Sequence, residues 1–422
     1  MDKKIGIAVD IGTTTLAFSV MDESGRRLAA FSCANSQRVF GTDVITRITR
    51  ANEGDSARLN SLVKEDINHG INKVLAAAGF NIIHEKNVKI SRIVIAGNTT
   101  MLHLLQNLPC KSLGEYPFLP VNINLVRENF NLLRNIYPPS RQFDVCQFEG
   151  CEIIILPGIS AFVGADISAG IFYCCFPQGN RPVSQGNFLY IDLGTNAEIA
   201  VVYGNGKKIL VTSAAAGPAF EGGNIIKGIP FIPGAISSAN FLPEAGVFMY
   251  ETVDNKPPIG ICGTGVADIT AEIIRHGLAT AAGDFIDAGK KTGDCITIAK
   301  RQGKPDIVFT QKDMREVQLA KSAVRAGIEI LLEESGLLYE NIAEVFLAGG
   351  FAINPETAAT LGILPKQLVS KVTAVGNAAI AGCEKAMFGD FSQISEIAAS
   401  ANEVNLAMHP RFEELFIEHM RF

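Results

Sequence analysis

The chain has 422 residues, 47% of them apolar and 19% charged, with a formal net charge of −6 at pH 7. That balance excludes the basic stripe a nucleic-acid surface needs, and no apolar run reaches the ~18–20 residues of a membrane span. The length suits two to three domains of a soluble α/β protein with sizeable cores.

The first residues enter an apolar strand directly, so no leader is expected and the chain is placed in the cytoplasm. Three strands are predicted at Ile5–Asp10, Leu16–Asp22 and Arg27–Ala34, with turns at Gly12 and at Ser24-Gly25. A polar stretch opens at Gly41. Apolar residues at Leu59, Leu62, Val63, Ile67, Ile71, Val74 and Leu75 then predict a helix over Ser56–Ala78, ended by Gly79. A buried strand, Ser91–Ala96, leads into Gly97-Asn98-Thr99-Thr100 and a helix over Met101–Leu108. The order is βββαβα. Residues 109–150, rich in Pro and Asn, are predicted as an insertion. A strand at Cys151–Leu156 and a helix at Ala161–Cys175 follow. The polar, Pro/Gly-rich run 176–186 is the predicted domain boundary, giving lobes 1–180 and 181–422.

The second half repeats the pattern. Strands are predicted at Asn187–Asp192, Ala197–Tyr203 and Lys208–Ser213, then a helix at Val317–Ser335 and a strand at Ala343–Ala348. A helix at Asn354–Leu361, a strand at Val372–Val375 and a helix from Asn377 complete it. Asp10 to Gly97 is 87 positions and Asp192 to Gly349 is 157, so the second half carries 70 extra residues, mainly in an insertion at 214–310. RIVIAGNTT and EVFLAGGFA are the same strand and Gly turn, met twice.

The chemistry concentrates at the two first hairpins. Asp10-x-Gly12-Thr13 and Asp192-x-Gly194-Thr195 hold the same relative positions. Glycine lets backbone approach an anion closely, the threonine hydroxyls can donate to phosphate oxygens, and the carboxylates suit a hard, hydrated cation. A lone D-x-G-T turn is equally an ordinary hairpin capped by its own carboxylate; a pair points to a duplicated fold gripping one phosphate chain. The Gly349-Gly350 turn can form a flat floor for a purine. Nine cysteines stand at irregular spacing: Cys33, Cys110, Cys146, Cys151, Cys174, Cys175, Cys262, Cys295 and Cys383. They read as reduced thiols. Cys146-x4-Cys151 matches the start of a plant-type iron–sulfur run, but the next ligand position is Ile154, so no cluster is expected in this chain.

This arrangement resembles the acetate kinase, sugar kinase, heat-shock ATPase and actin superfamily over nearly the whole chain. The resemblance implies two actin-like (ribonuclease-H-like) lobes with an ATP cleft between them. It places phosphate-1 at Asp10–Thr15, including Gly12, Thr13 and Thr14, and phosphate-2 at Asp192–Thr195 with Asn196. The adenosine motif falls at Gly349-Gly350-Phe351, the first connecting helix at Gly164–Gly170 and the second at Gly376-Asn377. Asp10 and Asp192 would position Mg2+. Asp166, read as mid-helix, would orient the attacking water, or is a helix-surface Asp. Glu221 and Gly222 would touch the ribose or form a turn. Asn98 and Thr99 would cap a helix or contact the site.

A narrower resemblance lies in GTDVITRI (Gly41–Ile48), GNTTMLHLL (Gly97–Leu105), FVGADISAG (Phe162–Gly170), GICGTGVAD (Gly260–Asp268) and TQKDMREVQLAKSAVRAG (Thr310–Gly327). These look like the ATPase portion of the reductive activators of corrinoid proteins. The resemblance implies an ATPase that returns a Co(II) corrinoid to Co(I). No cluster-binding cysteine run stands at either end, so a separate ferredoxin-like donor is expected to supply the electron. Homodimerisation stays open. The other readings are a small-molecule kinase of the same superfamily, a nucleotide sensor without turnover, and an activator of dehydratases with a cluster shared by two subunits.

Overall fold

A computed structural model describes residues 3–80, 88–134, 148–175, 186–286, 295–349 and 353–422. The chain divides into two units: residues 1–183 with 377–403, and residues 184–376 with 404–422.

In the first unit, strands β1 (Lys3–Ile11), β2 (Thr15–Asp22) and β3 (Arg27–Ala34) form an antiparallel meander. Strand β4 (Val88–Gly97) pairs parallel to β1, and β6 (Glu152–Ile155) parallel to β4. The short strand β5 (Val126–Asn129) lies antiparallel on the outer side of β6, so the order is β3-β2-β1-β4-β6-β5. Part of the expected insertion therefore extends the sheet. Ile5, Ile7, Ala8, Val9 and Ile11 of β1 are all buried, the run without alternation expected of a strand covered on both faces. The helix Ser56–Ala77 buries the seven apolar residues whose spacing predicts it. The helix Val44–Arg50, capped by Asp43, precedes it where the sequence shows only a polar stretch.

Residues 377–403, expected in the second lobe, belong to this first unit. The helix Ala378–Ala386 lies so close to the helix Ala165–Cys175 that a Cβ on Gly382 would fall 2.2 Å from Ala169 O. Arg92 fixes the same segment through bonds to Met387 O (2.8 Å) and Gly389 O (3.4 Å), and with Arg127 it flanks the Phe391 ring.

In the second unit the meander is β7 (Asn187–Leu193), β8 (Ala197–Tyr203) and β9 (Lys208–Ala214). The insertion supplies β10 (Ala235–Leu242), β11 (Val247–Thr252) and β12 (Gly260–Ile261) as one small sheet, and β13 (Cys295–Ala299) with β14 (Ile307–Thr310) as another. Between them runs the helix Gly263–Arg275. Strand β15 (Ile342–Ala348) pairs parallel to β7, and β16 (Val372–Gly376) parallel to β15. The order β16-β15-β7-β8-β9 thus repeats β6-β4-β1-β2-β3, which is the duplication the sequence implies. The long helix covers Gln311–Ser335, six residues earlier than its apolar period suggests, because Thr310 and Asp313 close a capping box at its start. The described residues contain no helix long and apolar enough to cross a membrane.

Candidate functional site

Pairing register puts the two aspartates in equivalent places. Asp10 lies opposite Ala17 on β2 and beside Ala96 on β4. Asp192 lies opposite Glu198 on β8 and beside Ala348 on β15. The glycine after each parallel neighbour packs alike. A Cβ on Gly97 would lie 2.7 Å from Ile11 O, and one on Gly349 2.4 Å from Leu193 O. Each aspartate therefore ends a central strand where two bare backbone segments meet.

In the first unit, Gly12 N donates to Thr15 O at 3.0 Å and closes the turn. The other turn carbonyls are also engaged. Gly12 O accepts from Asn35 Nδ2 (2.9 Å), Thr13 O from Arg47 Nη2 (2.6 Å) and Thr14 O from Asn35 N (2.9 Å). Thr13 is half-buried and Thr14 exposed. Asn377 Nδ2 donates to Asp10 Oδ2 at 2.9 Å, while Asn377 Oδ1 accepts from Ile380 N at 2.8 Å and caps the helix Ala378–Ala386. Asp166 stands in the first turn of the helix Ala165–Cys175, not mid-helix, because the chain through Ser160–Val163 is a turn held by Ser160 Oγ. A carboxylate there is favoured by the helix dipole. The buried Cys383 thiol is pushed well above its usual range, first by burial and then by the charges of Asp10, Glu384 and Asp166. Asn377 is thus bonded to Asp10, and Asp166 opens the helix packed against the one Asn377 caps. Asn98 caps the helix Thr99–Gln106 by accepting from Thr100 N (2.9 Å), and Thr99 Oγ1 donates to Ser160 O (2.7 Å). Asn98 thus makes the cap named above, whereas Thr99 ties its helix to the Ser160 turn.

In the second unit, Gly194 N donates to Asn196 O at 2.9 Å. Thr195 Oγ1 donates to Glu221 Oε2 at 3.1 Å, so Glu221 lies against the Gly194–Asn196 turn. Gly222, at φ +78, ends the short helix Pro218–Glu221. Asp192 is half-buried, and burial raises its carboxyl to about 6 despite the hydrogen bond from Tyr190 OH at 3.0 Å. Gly349, at φ +111, would set a Cβ 3.2 Å from Asp192 Oδ1. Gly350 and Phe351 lie outside the described residues. Asp313, by contrast, is buried and accepts from Thr310 N (2.8 Å) and Ile226 N (2.7 Å), a support for the insertion. Sequence reasoning passed over Asn35 and Arg47. Arg47 falls within the GTDVITRI stretch, but the turn carbonyls the two residues bind are 21 to 34 positions away, so their spacing gives neither a role.

The matches to known proteins cover both units. Residues 186–422 match the family model described as the C-terminal domain of RACo, the ASKHA domain, and residues 5–178 match the RACo middle region. A protein of Eubacterium limosum named corrinoid activation enzyme RamQ is 31% identical over 99% of this chain and 70% of its own length. One of Methanosarcina barkeri, named a Co(II) methylated amine-specific corrinoid protein reductase, is 26% identical over 98% of this chain and 76% of its own. A solved structure of a reductive activator for a corrinoid, iron–sulfur protein superposes with a TM-score of 0.85 at 29% identity, covering all of this chain and 66% of that one. With a duplicated actin-like sheet, matching turns at Asp10 and Asp192, and both family regions present in order, the chain belongs to the RACo family of reductive activators of corrinoid proteins.

Proposed function

We propose that the chain is a Mg2+-dependent ATPase whose nucleotide cycle drives return of a corrinoid protein's cobalt from Co(II) to Co(I), with the electron supplied by a ferredoxin-type donor. The observation that carries the nucleotide part is the duplicated turn, in which Asp10 and Asp192 end equivalent central strands beside equivalent glycines. The corrinoid part rests on the names of the relatives, which are a corrinoid activation enzyme and a corrinoid-protein reductase.

The residues present fit Mg-ATP. The donors are hard carboxylates and backbone amides, and among the described residues no group of three His, Cys, Asp or Glu gathers as a metal cage. Mg2+ is commonly held by one or two carboxylates, with phosphates and water completing its shell. Asp10 and Asp192 would hold it, and when bound it neutralises charge on the phosphates. Thr13, Thr14 and Thr195 would donate to phosphate oxygens. Asn377 holds the Asp10 carboxylate in place. Asp166 would orient water for attack. Gly349, Gly350 and Phe351 would meet the base. Glu221, set against Thr195 Oγ1, fits the phosphate-2 side better than a ribose contact.

The energy scale is workable. Switching a two-state protein from mostly one state to mostly the other takes about 5.5 kcal/mol of differential affinity. Applied to a one-electron couple, that covers roughly 240 mV. The test is Mg-ATP turnover with and without corrinoid proteins, beside a panel of sugars and short-chain acids. The expected result is stimulation by a corrinoid protein. Turnover indifferent to corrinoid proteins, but raised by a sugar or acid with a phosphorylated product, would refute the proposal in favour of a kinase.

A further inference from the structure

We propose that Arg47 and Asn35 are positioning residues for the Asp10–Thr15 turn: they hold its carbonyls away from a bound phosphate and place one buried positive charge behind it. The inference rests on the nucleotide reading above.

Both side chains are completely buried. The Asn35 side chain takes Gly12 O, the Arg47 side chain Thr13 O and the Asn35 backbone N Thr14 O, while Gly12 N takes Thr15 O. A carbonyl oxygen turned outward would repel a phosphate, so fixing all four inward leaves the turn's outer side to its amides and hydroxyls. Arg47 is itself anchored on Gly41 O through Nε (2.9 Å), on Gln37 Oε1 (3.3 Å) and on Met101 Sδ (3.1 Å). None of these partners is an anion. The nearby carboxylates are bonded to other donors and act on Arg47 only through space: Asp43 accepts from Thr46 N and Oγ1, and Asp66 from Ser36 N and Oγ. Neither lies within ion-pair distance of Arg47.

A buried guanidinium without a paired carboxylate is uncommon. It becomes favourable when an anion arrives close by, because low-dielectric surroundings strengthen the attraction. The second turn is built differently: Thr195 donates to the Glu221 carboxylate. The duplicated motif therefore has a cation behind one turn and an anion beside the other. Polyphosphate charge suits the first, and phosphate that brings its Mg2+ suits the second.

Calorimetric titration of wild type, Arg47→Met, Arg47→Lys and Gln37→Glu with Mg-ATP, Mg-ADP and adenosine tests this, with melting temperatures recorded alongside. Gln37→Glu sets a carboxylate on Arg47 Nη1 and offsets its charge at nearly constant shape, losing the bond from Gln37 Nε2 to Leu59 O (2.8 Å), a cost the melting temperature reads. Arg47→Met and Gln37→Glu should each weaken Mg-ATP at least about tenfold, the loss of a buried charge-assisted contact. The loss should shrink from ATP to ADP and vanish for adenosine. Arg47→Lys, keeping the charge, should recover part of it. Amide exchange in residues 10–16 should quicken in nucleotide-free Arg47→Met. A folded Arg47→Met that binds Mg-ATP within about twofold of wild type overturns the proposal, as does an equal loss for adenosine. Should Arg47→Met fail to fold, Gln37→Glu decides: wild-type melting with wild-type affinity overturns it. A wild type that binds no nucleotide refutes the site reading itself, which is a separate outcome.

Discussion

Replacing Gly349 by Ala is the most demanding single-atom test of how the second unit presents Asp192. The residue sits at φ +111, where a side chain is strained, and its new Cβ would fall 2.4 Å from Leu193 O and 3.2 Å from Asp192 Oδ1. The first contact is with backbone at the end of β7, so no flexible side chain can yield. Gly349 N also donates to Gly376 O at 3.1 Å, so the ends of β15 and β16 resist the shift. Backbone strain in a region nearly reserved for glycine costs about 1–3 kcal/mol, and forcing extra volume into packed surroundings about 1–3 kcal/mol more. The expected destabilisation is therefore roughly 2–6 kcal/mol, a large share of the ~5–15 kcal/mol typical of a folded chain. Urea unfolding followed by circular dichroism reads the stability, and calorimetry in dilute urea-free buffer reads Mg-ATP affinity. The variant should lose both, because the backbone that moves carries Asp192. A midpoint within ~0.5 kcal/mol of wild type, with unchanged affinity, would refute the geometry on which the duplicated site depends.

Further outcomes follow from individual groups. The native Asp192 carboxyl titrates at about 6 against 3.8 unperturbed, so between those values the native state holds more protons and stability falls as pH rises. Asp192→Asn removes that penalty. It should be more stable than wild type at pH 7 by roughly 1–3 kcal/mol, with the gap closing below pH 3.8, and it should bind Mg-ATP more weakly. A pH-independent gap in melting temperature would contradict this. Asn377→Ala removes a helix cap and the Asp10 partner together. Thermal melts should show a loss of about 0.5–2 kcal/mol, and an unchanged melt would count against the cap. Lys321 is buried, which lowers it from 10.5 to about 8, while its Nζ donates to His419 O (2.5 Å) and Arg421 O (2.6 Å). Between those pH values the unfolded chain binds the extra proton, so stability should rise with pH across that window. Lys321→Met should flatten the rise, and a variant that keeps it would assign the proton elsewhere.

Much of the architecture was legible because it is written locally and twice. The alternation of apolar strands with a Gly turn marks β1, β2, β7 and β8, and RIVIAGN and EVFLAGG mark the parallel strands that flank Asp10 and Asp192. What escaped is non-local or masked by glycine. Asn377 is 367 positions from Asp10, and nothing near it announces that partnership or the return of 377–403 to the first unit. The packing of Gly382 on Ala169 is seen only once both helices are placed. Strand β5 is short and polar, and gains its place from pairing with β6. The helix Gly263–Arg275 opens with two glycines, which hid the period of Val266, Ile269 and Ile273. Asp166 was misplaced by a few residues because FVGAD continues the apolar run of its helix while Ser160 holds a turn there.

Reduction of a corrinoid protein, followed by absorption, probes the whole scheme most directly. A Co(II) corrinoid protein is mixed anaerobically with this chain, a reduced ferredoxin-like donor and Mg-ATP, and the Co(II) and Co(I) bands are recorded against samples with ADP and with Asp192→Asn. Growth of the Co(I) band only with ATP and the unaltered chain is the expected result. Equal Co(I) formation with ADP, or none with any corrinoid protein while ATP is still hydrolysed, would contradict a role in corrinoid activation.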